Sequence, residues 1–147
     1  MNFEEKRGRI VFYPVVVDDV QVIPFVGGIN AGFTSPAQDY QADAISLNEL
    51  LIKHPSTTFF AKVDGECLSG SGINNGDIVL VDKSLQPRDG DIAVCFLDGE
   101  FTMKRLKVEK DIIWLLPDNE KFKPIKVTSD NELIIWGIVI SAVKRFR

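Results

Sequence analysis

The stretch Gly65-Glu66-Cys67-Leu68-Ser69-Gly70-Ser71-Gly72 places a thiol and two hydroxyls among glycines. Glycines let successive backbone N–H groups converge, which a nucleophile and its oxyanion hole both require. Cys67 is the strongest nucleophile type there, ahead of Ser69 and Ser71; the plainer alternative is a turn around a small buried thiol. A nucleophile needs a base, and His54 is the single histidine of the chain. A Ser-His or Cys-His pair would therefore depend on His54, which stands beside Pro55 and reads as a helix-end or surface residue. One histidine and two distant cysteines, Cys67 and Cys95, also argue against a zinc site, which needs about four ligands in close pairs. Lys104 is the remaining candidate. Along residues 101–106, Thr102, Lys104 and Leu106 fall on one face of a strand and Phe101, Met103 and Arg105 on the other. Neither face is wholly polar, so one of the two cations approaches the interior. Desolvation disfavours an ammonium, and a neutral lysine can accept a proton as general base. A lysine reaching out to solvent is the alternative at this point.

The elements that must position these residues are mostly β. Thr58-Phe59-Phe60-Ala61-Lys62-Val63 alternates, while 78–81 and 92–97 are buried-type apolar runs. Asp98-Gly99 predicts a two-residue hairpin into residues 100–106. Further strands are expected over 112–116, 125–127 and 133–143. Ser46-Leu47-Asn48-Glu49 is a capping box opening one short helix of roughly two turns that ends at His54-Pro55. Before it, Pro14, Pro24 and Pro36 with Gly27, Gly28 and Gly32 exclude a long helix. Residues 1–44 therefore read as an extended arm with strand-like pieces, and 45–147 as a compact, twisted, mostly antiparallel β domain.

Composition bounds the function. The chain has 147 residues, 45% apolar and 26% charged, which suits an ordinary globular core. A formal charge of −4 argues against coating nucleic acid through phosphate contacts. No apolar run reaches the roughly 18–20 residues of a membrane span, and the N-terminus lacks a secretory pattern. These features predict a cytoplasmic protein that neither enters a membrane nor reads DNA sequence directly. Cys95 lies in an apolar run and reads as core. Lys144-Arg145-Phe146-Arg147 is either a solvated terminus or a contact for acidic partners.

Several spaced motifs then carry a resemblance, from about Ile23 to the C-terminus. They include Ala31-Gly32-Phe33-Thr34-Ser35-Pro36-Ala37, Leu47-Asn48-Glu49-Leu50-Leu51-Ile52, Gly65-Glu66-Cys67-Leu68, Asn75-Gly76-Asp77-Ile78, Asp89-Gly90-Asp91-Ile92 and Asp98-Gly99-Glu100-Phe101-Thr102-Met103-Lys104-Arg105-Leu106. In this order they resemble the LexA/UmuD family of self-cleaving peptidases. The resemblance implies that residue 67 attacks the peptide and that Lys104, at the family's spacing from it, is the base. It also implies cleavage at Ala31-Gly32, where the absent Cβ of Gly32 and the small side chain of Ala31 suit a narrow cleft. No cofactor is implied. The implied partners are a second copy of the chain, with part of the contact expected over 134–140, a RecA–DNA filament as trigger, and an error-prone Y-family DNA polymerase.

The family's Gly-Asp-Ser-Met loop carries a serine where this chain has Cys67, and Glu66 and Leu68 replace the aspartate and methionine. A thiol, with an ordinary pKa near about 8.5, gives its proton to an amine more easily than a hydroxyl does. Thiolate is also the better leaving group, so the tetrahedral adduct collapses back unless Lys104 protonates the departing nitrogen. Three readings are compatible with these residues: a self-cleaving SOS-response peptidase, a non-cleaving polymerase regulator on the same fold, and the regulatory half of a LexA-type repressor. The last is weakened by the few residues preceding Ala31-Gly32, too few for a helix-turn-helix domain.

Overall fold

The structure, a computed structural model, describes residues 12–15, 22–25, 43–64, 68–118, 123–128 and 133–147. The chain divides into two compact units, Val16–Pro55 and Met1–Val15 with Ser56–Arg147. The smaller unit holds β2 (Val22–Phe25) paired antiparallel with β3 (Asp43–Ser46), followed by α1 (Leu47–Leu51). Ser46 caps α1 as its sequence predicts, accepting the Glu49 N–H at 3.4 Å. The helix has five residues rather than two turns, because Ile52 already has extended backbone. The approaching Pro55 disfavours helical geometry at His54, so nothing draws the helix onward.

The larger unit is one antiparallel sheet. Its strands are β1 (Phe12–Pro14), β4 (Thr58–Lys62), β5 (Ile78–Asp82), β6 (Ile92–Leu97), β7 (Glu100–Glu109), β8 (Ile112–Leu116), β9 (Ile125–Lys126) and β10 (Leu133–Val143). Their order across the sheet is β1-β4-β5-β10-β6-β7-β8-β9. The mostly-β class expected from the alternating runs is thus the class observed, with a single short helix among the described residues. β1, within the residues read as an arm, is the outer strand of this sheet and ends on Pro14. A missing N–H is tolerated at such an edge.

Alternation sends successive side chains of each strand to opposite faces, and each face has its own core. Ala61, Val63, Leu68, Ile73, Val79, Val81, Val94 and Met103 pack on one face. Ala93, Cys95, Leu106, Leu115 and Ile138 pack on the other. The last strand in sequence, β10, lies centrally between β5 and β6, and its register shifts once against each neighbour. At Gly137 an added Cβ would lie 2.6 Å from a Val81 methyl. The close approach of β5 to β10 therefore requires glycine there.

Candidate active site

Lys104 lies on β7, opposite Ala93 of β6, and is half-buried. It shares its face with Leu106, on the Ala93/Cys95 side of the sheet, as alternation predicted. Arg105 follows on the other face and is also half-buried, so both cations approach the interior. Cys95 is fully buried on the Lys104 face of the sheet, with its thiol 3.8 Å from the Ala93 carbonyl oxygen. Burial pushes the Cys95 thiol up to about 11, and the Lys104 charge opposes the shift. Between the ordinary thiol value and about 11 the unfolded chain sheds this proton while the native chain keeps it. Stability therefore falls as pH climbs through that window. In native protein at pH 8, Cys95 is expected to resist iodoacetamide until denaturant is added, read by peptide mass mapping. Native labelling of Cys95 would contradict its place in the core.

The loop that begins beyond β4 is closed at its base by two backbone bonds. Val63 N–H donates to the Asp77 carbonyl and Gly76 N–H to the Val63 carbonyl, each at 2.8 Å. Inside it, Leu68 pairs with Ile73 in an isolated bridge, and residues 69–71 form one 3-10 turn. Leu68 is fully buried in the same cluster as Met103, so the residue after Cys67 is anchored in the core. The base is held from a third side by Asp77, whose carboxylate accepts the Asn74 N–H at 2.9 Å and an ion pair from Lys144. The Asn74 N–H foremost, then Lys144, holds that carboxyl below its usual range. Lys144, in the basic terminus, is thus occupied within the chain.

The far side of the turn meets β7 and the residues after β8. The Asp118 carboxylate accepts the N–H of Gly70, the N–H of Ser71 at 3.2 Å and the Ser71 hydroxyl at 2.9 Å. The same hydroxyl oxygen accepts from Arg105 Nη2 at 3.0 Å, while Arg105 Nη1 donates to the Gly90 carbonyl at 2.7 Å. Asp118 approaches so closely that a Cβ on Gly70 would lie 3.0 Å from its Oδ2.

Of the residues singled out by sequence, Lys104 is seen in its strand, whereas Cys67, Ala31 and Gly32 lie outside the described residues. Arg105, Ser71 and Asp118 were not assigned together. Arg105 was legible only as a second cation beside Lys104, and nothing in sequence links Asp118 to a turn 47 residues away. Among the described residues, no three His, Cys, Asp or Glu side chains gather so as to hold a metal ion. No helix among them is long and apolar enough to cross a membrane.

Residues 24–140 match the Peptidase S24-like family. Protein MucA of Salmonella typhimurium is 40% identical over 122 residues, covering 82% of this chain and 83% of MucA. Protein ImpA of Salmonella typhimurium is 36% identical over 132 residues, covering 88% and 89% of the two chains. The LexA repressor of Ectopseudomonas mendocina is 30% identical over 135 residues, 91% of this chain and 66% of the repressor. A match that runs from before Ala31 to within β10, on an antiparallel β scaffold, leaves one assignment: the chain belongs to the S24 family of self-cleaving serine peptidases, as a UmuD-like member.

Proposed function

We propose that this chain is an SOS-mutagenesis peptidase that cuts its own Ala31-Gly32 bond, with Cys67 as nucleophile and Lys104 as general base. The reading is carried by the family match over residues 24–140, which spans the bond, the nucleophile position and the lysine together. Lys104 takes the Cys67 proton, and the thiolate adds to the Ala31 carbonyl carbon. The oxyanion is received by the Cys67 backbone N–H. Lys104 returns its proton to the Gly32 nitrogen as the C–N bond breaks, leaving residues 1–31 as a thioester on Cys67. Water, deprotonated by Lys104, hydrolyses that thioester and frees the thiol. Shortening the arm prepares a cytoplasmic homodimer to serve an error-prone Y-family polymerase, and a RecA–DNA filament triggers the cut.

The experiment is intact mass of the purified chain during incubation at alkaline pH, where a lysine amine is more often neutral. Loss of residues 1–31 is the expected result. An unchanged mass would favour the non-cleaving regulator, a reading that the serine-to-cysteine exchange supports because thiolate leaves more readily than an amine. Cys67→Ser then separates an impaired nucleophile, which the serine restores, from a lost substrate geometry, which it does not.

A further inference from the structure

We propose that Asp118 and Arg105 are positioning residues for this cleavage, acting through the Ser71 hydroxyl to hold the nucleophile loop in register with the strand that bears Lys104. Their purpose rests on the self-cleavage reading above; the contacts themselves do not. Cys67 lies just upstream of the 3-10 turn at residues 69–71, and Lys104 is the chain neighbour of Arg105. The Arg105–Ser71 bond is therefore a short bridge between the segment carrying the nucleophile and the strand carrying the base.

The bridge has a direction. Arg105 donates to Ser71, and Ser71 donates its own proton to Asp118. A donor chain of this kind polarises along its length, so each bond strengthens the next. Both ends are fixed. The guanidinium is held at Gly90, within a turn that is itself closed by the Arg88 N–H on the Asp91 carboxylate at 2.7 Å. The Asp118 carboxylate also takes the N–H groups of Gly70 and Ser71, so it seizes the backbone of the turn as well as its side chain. Gly70 is matched to that grip, since a side chain there would press against the carboxylate. Ser71, with its proton committed to Asp118 and a lone pair to Arg105, is a joint and not a nucleophile.

A shift of about 1 Å in a reacting group costs on the order of 100-fold in rate. The test is the intact-mass time course on the full chain carrying Asp118→Asn, Ser71→Ala, both together, Arg105→Lys, Ser71→Thr or Lys107→Ala. Asp118→Asn and Ser71→Ala are each expected to slow cutting by roughly 10–100-fold. The double variant is expected to be no slower than the worse single one, because both break the same joint. Arg105→Lys is expected to slow cutting, since an ammonium does not span two acceptors as the fork does. Ser71→Thr, which keeps the hydroxyl, is expected to retain most of the rate. Lys107, on β7 but exposed and paired with Glu109 at 2.7 Å, is expected to be replaceable without effect.

Parent rates in the single variants would overturn the assignment. So would multiplicative losses in the double variant, or losses that merely follow the fall in melting temperature. If Asp118→Asn fails to fold, Ser71→Ala against Ser71→Thr decides. A chain that cuts with neither Cys nor Ser at position 67 defeats the cleavage reading alone. The positioning role is then decided by iodoacetamide alkylation of Cys67, expected to change several-fold in Asp118→Asn and Ser71→Ala but not in Lys107→Ala. Equal rates in all of these chains would overturn it.

Discussion

Lys104→Ala is expected to lower the rate at which residues 1–31 are lost by roughly 100–10,000-fold, the usual contribution of a positioned proton acceptor. The site makes this a clean experiment. Lys104 is on the face of β7 opposite Arg105, so its removal leaves the Arg105–Ser71 bond and the Asp118 contacts in place. Lys104→Arg sharpens the test, because a guanidinium keeps the charge and much of the stem but does not give up its proton near neutrality. Equal loss in both variants assigns the lysine to proton transfer. Cutting by Lys104→Arg at the parent rate would show that charge alone suffices, and cutting by Lys104→Ala would remove the dyad altogether.

Leu68→Ala has the largest expected effect on stability. Leu68 is among the largest fully buried side chains and packs in one cluster with Ile73, Val94 and Met103. Deleting such a side chain costs about 2–5 kcal/mol, part lost transfer energy and part cavity. That corresponds to a substantial fall in the urea midpoint with an unchanged slope. Because Leu68 is the residue after Cys67, the same cavity is expected to loosen the position proposed for the nucleophile. Cleavage is expected to slow even under conditions where the variant is fully folded. Leu115→Ala, a comparable truncation in the opposite core, is the control: it should match the stability loss without matching the loss of rate. Equal slowing in both would mean that only global stability matters.

Most of the strands were legible because each is a short apolar or alternating run closed by a turn. The β6–β7 hairpin is the clearest. Asp98-Gly99 needs two left-handed residues, and both have positive φ, 47° and 87°. Cys95 was legible as core from the run around it, and the strand carrying Lys104 from the Asp98-Gly99 turn that precedes it; the pairing of Lys104 with residue 67 is what the family resemblance implies. Less legible was the central place of β10. Residues 134–140 are apolar on both faces, which marks a buried strand but not its neighbours, and its register shifts break simple alternation. The pairing of Phe12, Tyr13 and Pro14 with Ala61, Phe60 and Phe59 was equally hidden, since three residues are too few for a pattern. Asp118 was invisible for a similar reason. A single carboxylate in a turn carries no sign of the amides it will meet from a distant part of the chain.

Were the bond between residues 31 and 32 cut as proposed, the three-residue pairing of β1 with β4 would bear on the fate of the arm. β1 and β2 would stay with the first fragment, while their partners β4 and β3 would stay with the second. Scission alone would not part the pieces. It would convert each strand from a tethered neighbour, at an effective concentration of about millimolar, into a separate ligand obeying mass action. The first fragment would then be retained in a concentrated solution and shed in a dilute one. The Tyr13–Phe60 stack, with ring centroids 5.6 Å apart, would be among the contacts holding it. Scission and arm departure would thus be two separate events, the second governed by protein concentration.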